Sequence, residues 1–127
     1  MSPIYFKKSG AIKIIEKKML QRKDPHYSAG MAARVLNMLR AEKNDVNYNS
    51  GIVNSFLRQH KDELGGYIEK IKVEEEPKPM KFFPYIVIER MCKSYYRRGK
   101  IRKYTKKELK EILGDIRKLH LILPPPS

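Results

Sequence analysis

Residues 28–64 read SAGMAARVLNMLRAEKNDVNYNSGIVNSFLRQHKDEL, and two amphipathic patterns within this stretch decide the predicted fold. Apolar residues recur at spacings of three and four over 29–42 and again over 51–64, which predicts two consecutive helices. Ser28 is the expected N-cap of the first helix, and Asn49 or Ser50 that of the second. The glycine pair that follows Leu64 is expected to end the second helix.

A β-hairpin is predicted directly after these helices. Residues 67–73 alternate loosely and are rich in β-formers, residues 74–79 form a charged turn with two prolines, and residues 80–83 return as a second strand. Winged helix-turn-helix modules have the same order of helix, turn, helix and hairpin, and their second helix lies in the DNA major groove. The resemblance rests on element order, and it implies that the 51–64 helix reads bases.

The predicted fold class is mainly α, with a small β-hairpin, in a winged helix-turn-helix-like helical domain with basic terminal extensions. Three further helices are expected over residues 10–22, 84–98 and 105–120, with Gly99 as a C-cap and a Thr105–Glu108 capping box. The predicted organisation is an extended arm at 1–9, one mainly helical nucleic-acid-binding domain at 10–120, and a proline-rich tail at 121–127.

The charge balance predicts an anionic partner. The chain carries 28 Lys and Arg against 14 Asp and Glu, a formal net charge of +14, and nucleic acid is the commonest polyanion that offsets such a charge. No window approaches about 18 consecutive apolar residues and no secretory signal is seen, so no membrane partner is expected. The chain has one cysteine, Cys92, which indicates a reducing cell compartment, and we expect this side chain to pack in the core. The small number of glutamines is typical of proteins from hot environments. The predicted location is cytoplasmic, associated with the nucleoid or the ribosome.

The strongest functional signal is the basic run KSYYRRGKIRKYTKK at residues 93–107. It holds eight cations and no acid, together with Tyr95, Tyr96 and Tyr104. Cations along a phosphate backbone release condensed counterions, and tyrosine rings stack on unpaired bases. The candidate nucleic-acid-binding residues here are Lys93, Tyr96, Arg97, Arg98, Lys100, Arg102, Lys103, Tyr104, Lys106 and Lys107. The alternatives are a solvated helix end and a surface for an acidic protein or lipid.

The polar face of the 51–64 helix is the candidate for reading bases. It offers Asn54, Arg58 and Gln59, and amide and guanidinium side chains pair with adenine and guanine in the major groove. An ordinary exposed helix face has the same polarity. The acidic residues 74–76 weigh against this interpretation, because they would lie at the tip of the wing.

Catalysis finds little support in the sequence. The three histidines lack metal-ligand spacing, no phosphate-binding glycine loop is present, and no pair of carboxylates stands out. We therefore expect no enzyme, no cofactor and no metal. The preferred function is DNA binding as a transcriptional regulator, acting as a homodimer if it is sequence-specific. The alternatives are a structured-RNA or ribosome-associated protein and an adaptor for an acidic protein, with LILPPPS as a further contact for a protein partner.

Overall fold

The computed structural model describes residues 10–73 and 76–122, so the predicted N-terminal arm and residues 123–127 of the tail lie outside it. The described part is mainly helical and contains a small antiparallel sheet. In chain order the elements are α1 (Gly10–Leu20), β1 (His26–Ser28), α2 (Ala29–Leu39), α3 (Ser50–Gln59), α4 (Lys61–Leu64), β2 (Glu69–Ile71), β3 (Met80–Pro84), α5 (Tyr85–Arg97) and α6 (Lys106–Ile122). A 3₁₀ turn at Gly65–Tyr67 follows α4.

Side-chain caps fix the starts of three helices at the predicted places. The Ser28 hydroxyl accepts a hydrogen bond from the Met31 amide at 3.3 Å, and Asn49 Oδ1 accepts one from the Ile52 amide at 3.0 Å. Thr105 Oγ1 accepts from the Glu108 amide at 3.0 Å. Each cap satisfies a backbone N–H that the first helical turn leaves without a partner.

One predicted helix end is wrong, and one predicted helix is interrupted, although it ends at Leu64 as predicted. α2 ends at Leu39 rather than near residue 42, because the chain leaves the helix to form a bridge between Arg40 and Ile101. The predicted 51–64 helix is broken at His60, whose ring stacks on Phe56 with the centroids 4.1 Å apart. Near the C-terminal end of the described residues, α6 continues to Ile122, two residues beyond its predicted end at about residue 120.

The predicted hairpin is present and forms part of a three-stranded sheet. β3 lies in the centre and pairs antiparallel with β2 on one side and with β1 on the other. β1 was not predicted, because its three residues follow Pro25 and are too few to show an alternating pattern. β2 is also shorter than the predicted 67–73 strand, since Tyr67 belongs to the 3₁₀ turn and the strand pairing stops at Ile71.

One apolar core joins the helices to the sheet. Its fully buried side chains come from α2, α3, α5 and α6 and from β3, and they include Leu36, Leu39, Leu57, Phe83, Ile88, Met91, Leu109 and Leu113. Cys92 belongs to this core, and burial raises the pKa of its thiol to about 12. A thiol with so high a pKa stays protonated and unreactive, in agreement with the predicted packing role.

Gly99 reverses the chain at the end of α5. Its φ of 73° lies in the left-handed region, which costs an L-residue about 1–2 kcal/mol. The Gly99 amide donates to the Tyr96 carbonyl at 2.9 Å, and the Lys100 amide donates to the Tyr95 carbonyl at 2.9 Å. These two bonds form a Schellman motif, as the predicted glycine C-cap requires.

We expect alanine at two glycines to change the free energy of unfolding in opposite directions. Gly99→Ala should lower it by about 1 kcal/mol or more, because alanine resists the positive φ. Gly114→Ala should raise it by about 0.5–1 kcal/mol, because Gly114 lies inside α6 and an added Cβ meets open space. Urea unfolding of the two variants measures both changes, and a loss of stability in Gly114→Ala would contradict this account of α6.

Candidate nucleic-acid interface

The predicted basic run lies at the junction of α5 and α6, and backbone contacts with α2 hold it in place. The Ala41 amide donates to the Lys100 carbonyl at 3.0 Å, and the Arg102 amide donates to the Leu39 carbonyl at 2.8 Å. Ile101 between them is buried. We call the ten predicted site residues of this run the junction surface: Lys93, Tyr96, Arg97, Arg98, Lys100, Arg102, Lys103, Tyr104, Lys106 and Lys107.

Three cations of the junction surface have partners within the protein. Arg102 donates two hydrogen bonds to the Glu108 carboxylate at 3.2 and 2.7 Å, and this pairing lowers the pKa of Glu108. The Arg98 guanidinium lies over the Tyr95 ring, 5.3 Å from its centroid. Lys106 Nζ lies 3.9 Å from Glu89 Oε2. These side chains are therefore less free to meet a phosphate than the sequence suggests.

The other five cations are exposed and have no ion pair with any residue of the described ranges. They are Lys93, Arg97, Lys100, Lys103 and Lys107. Unpaired cations so close together repel one another, and an incoming polyanion relieves that repulsion. The electrostatic attraction of the junction surface therefore comes mainly from these five side chains.

The three tyrosines of the run have different surroundings. Tyr95 is only 6% exposed and contacts Tyr48 and Phe56, with ring centroids 5.5 and 5.7 Å away, so it is a core residue and does not face a ligand. Tyr96 is 47% exposed. Tyr104 is partly buried and meets Tyr96 edge-on, with centroids 6.4 Å apart and planes at 88°. Tyr96 and Tyr104 thus form an accessible aromatic corner.

The structure places the three residues predicted to read bases on α3, but their exposure differs. Arg58 and Gln59 are exposed at the C-terminal end of the helix, and Arg58 donates to Ser55 Oγ at 3.0 Å. Asn54 is partly buried, and its Oδ1 atom is enclosed without a hydrogen-bond partner in the described structure. Arg58 and Gln59 are accordingly the better placed pair.

A second basic cluster lies on the hairpin, and sequence reasoning missed it. Lys70 of β2 is the direct cross-strand partner of Lys81 of β3. Partial burial lowers the pKa of Lys81, and the positive charges of Lys70, Arg58 and Lys78 lower it further. Like charges facing each other across two strands destabilise a hairpin. The sequence shows these lysines, but it does not show that Lys70 faces Lys81, because that pairing depends on the register of the two strands.

Clusters of metal-ligating side chains and long apolar helices are both absent from the residues that the structure describes. Residues 10–73 and 76–122 contain no group of three or more His, Cys, Asp or Glu side chains placed to hold a metal ion. Every helix in the same ranges is too short or too polar to span a bilayer. His26 and His120 face the carboxylates of Glu69 and Glu16, at 3.3 and 4.0 Å.

Comparison of the chain with protein-family models, with curated proteins and with solved structures gave no match.

Proposed function

We propose that this chain binds nucleic acid, with duplex DNA as its preferred ligand, in the manner of a winged helix-turn-helix regulator. The observation that carries the proposal is the cluster formed by Arg58 of α3 with Lys70, Lys78 and Lys81 of the hairpin. A reading helix and its wing meet the same stretch of duplex, so both should be basic where they adjoin. This cluster satisfies that requirement although residues 74–76 are acidic in sequence.

The order of elements supports the same proposal. α1, β1, α2 and α3 come first, and the β2–β3 hairpin follows after the short α4 and the 3₁₀ turn, with β3 between β1 and β2 in the sheet. Winged helix-turn-helix modules share this order, so the likeness is an analogy of fold and says nothing by itself about a binding site. By this analogy α3 enters the major groove, where Arg58 donates to guanine and Gln59 pairs with adenine.

The junction surface contributes phosphate contacts in this proposal. Its five unpaired cations attract the DNA backbone irrespective of sequence, and each phosphate neutralised releases condensed counterions. In this proposal Arg58 and Gln59 read the bases. The unpaired cations of the junction surface bind the phosphate backbone.

A second candidate function is binding of structured RNA. The aromatic corner of Tyr96 and Tyr104 favours it, because sequence-specific RNA recognition targets unpaired bases that stack on aromatic side chains. A duplex presents no unpaired base to these rings. The two candidates therefore differ in whether Tyr96 contributes to affinity.

A titration against three nucleic acids tests the proposed function. Duplex DNA, single-stranded DNA and a structured RNA of equal length are bound at several salt concentrations, and the slope of log affinity against log salt is measured. We expect duplex DNA to bind best. The five unpaired cations of the junction surface should contribute a slope of about −4 to −5, and phosphate contacts of the hairpin lysines should make the total slope steeper. Preference for the RNA would favour the second candidate. Weak binding to all three with little salt dependence would refute nucleic-acid binding.

A further inference from the structure

A cleft of about 440 Å³ opens along one face of α5. Tyr85, Glu89, Lys93 and Tyr96 line it, and they lie on one side of the helix because they are spaced by three or four residues. The opposite side of α5 faces the core. The volume falls within the range of pockets that take small ligands.

The other wall of the cleft comes from the α5–α6 linker and the start of α6. Lys103, Tyr104 and Lys106 line it. The bridge between Arg40 and Ile101 anchors this linker to the end of α2. Because both walls are tied to the core, the cleft is formed before any ligand arrives.

The aromatic part of the cleft favours a flat ring as ligand. Tyr96 and Tyr104 make a right-angled corner, in which a ring stacks on one tyrosine and meets the edge of the other. Tyr85 offers less stacking surface, since Lys110 Nζ lies over its ring at 5.5 Å from the centroid. Its hydroxyl instead donates to Glu89 Oε2 at 3.2 Å.

The charges of the cleft favour an anionic ligand. Lys93, Lys103 and Lys106 line it together with a single carboxylate, that of Glu89. Tyrosine cages with a carboxylate also bind quaternary ammonium groups, but here three lysines would repel such a cation. A flat ring attached to a phosphate satisfies both the aromatic corner and the lysines.

Glu89 adds a requirement for hydrogen-bond donors on the ring. Its side chain is only 16% exposed, and its contacts with Tyr85 and Lys106 both go to Oε2. Oε1 makes no hydrogen bond or ion pair with the described residues, and a carboxylate accepts several hydrogen bonds. Among the common bases, guanine offers two adjacent donors, N1–H and the 2-amino group, that match the two carboxylate oxygens.

We propose that this cleft binds a guanine nucleotide, with the base in the corner of Tyr96 and Tyr104, its N1 and 2-amino groups on Glu89, and its phosphate on Lys93 and Lys103. The nucleotide is either free or an unpaired residue of a nucleic-acid strand. The strand form rests on the proposed function, whereas the free form does not require it.

Calorimetric titration of the whole chain with GMP, IMP and AMP tests the base preference without any substitution. IMP keeps N1–H and lacks the 2-amino group, and AMP lacks the pair of donors. We expect GMP to bind about tenfold or more tightly than AMP, with IMP between them, as a bidentate pair predicts. Equal affinity for all three would overturn the inference, and so would no binding of any of them together with no preference for guanosine within a single strand.

Two variants locate the site, each with a matched control. Glu89→Gln should abolish the preference for GMP over AMP, whereas Asp62→Asn, at an exposed carboxylate outside the cleft, should leave it unchanged. Tyr96→Ala should weaken GMP binding about tenfold. Tyr67→Ala removes another exposed tyrosine, 41% exposed and outside the lining of the cleft, and should have no effect.

A polymer experiment separates the two sources of the nucleotide. Single strands of ten thymidines are compared with the same strand carrying one central guanosine or adenosine. Preference for the guanosine strand, lost in Glu89→Gln, supports recognition within a strand. Binding of GMP without binding of any strand or duplex upholds the cleft and refutes the proposed function. Salt-dependent binding of all strands without guanine preference, together with no binding of GMP, upholds the proposed function and overturns the cleft.

Discussion

Replacing Arg97, Lys100, Lys103 and Lys107 together by glutamine is expected to weaken duplex DNA binding by about three orders of magnitude at about 0.1 M salt. These four side chains are exposed and make no ion pair within the described ranges, so each is free to meet a phosphate. The salt slope should fall by about 3 to 4 units if each cation releases its share of counterions. Filter binding or fluorescence anisotropy at four or more salt concentrations measures both quantities.

A control variant removes the same amount of charge elsewhere. Lys17, Lys18, Lys23 and Lys118 are also exposed and lie outside the junction surface, so their replacement by glutamine should change the slope much less. Both variants lower the net charge by the same amount. A difference in their DNA affinity therefore comes from where the cations lie and not from the total charge of the protein. Equal losses in the two variants would contradict the junction surface. A larger loss in the control would indicate that the interface lies on the surface carrying Lys17, Lys18, Lys23 and Lys118.

Much of the fold was predictable because local chemistry determines it. The caps at Ser28 and Thr105 and the reversal at Gly99 depend on residues close in sequence and are confirmed, and of the two predicted caps Asn49 and Ser50 the structure has Asn49. The predicted capping box is only half formed, because the Glu108 carboxylate binds Arg102. The spacing of apolar residues by three and four also predicts which face of each helix is buried. Mainly helical structure with a β2–β3 hairpin follows from these signals.

The failed predictions depend on partners distant in sequence. α2 ends early because residues near Leu39 bond to the α5–α6 linker, about sixty residues further along the chain. β1 is a strand because it pairs with β3. Its three residues are too few to show an alternating pattern in the sequence. Local patterns carry no information on either contact.

The candidate site was predictable in composition but not in detail. The sequence located the cations of residues 93–107, yet it could not show that Glu108 binds Arg102 or that Glu89 approaches Lys106. It also could not show that Lys70 faces Lys81, because strand register depends on the hairpin as a whole. The sequence did not mark Glu89 as a candidate binding residue, since a single glutamate on a helix is usually exposed to solvent.

The adjacent residues Tyr95 and Tyr96 should respond to alanine in different ways. Tyr95→Ala should lower the free energy of unfolding by about 3 to 4 kcal/mol, because it removes a buried ring that joins α5 to α3 and to the loop before α3. Tyr95→Phe keeps this ring and should cost less than about 1 kcal/mol. Urea unfolding measures both changes, and a small cost for Tyr95→Ala would contradict its place in the core.

Tyr96→Ala should lower the free energy of unfolding by less than about 1 kcal/mol, because nearly half of the surface of Tyr96 is already exposed and its aromatic contact is one edge-to-face pair with Tyr104. Its effect should appear in binding instead, as about a tenfold loss of affinity for single strands with a normal unfolding curve. Tyr95→Phe serves as the binding control, since it retains the fold and alters no exposed ring. If Tyr96→Ala left single-strand affinity unchanged, stacking at the aromatic corner would be excluded, and the junction surface would act through charge alone.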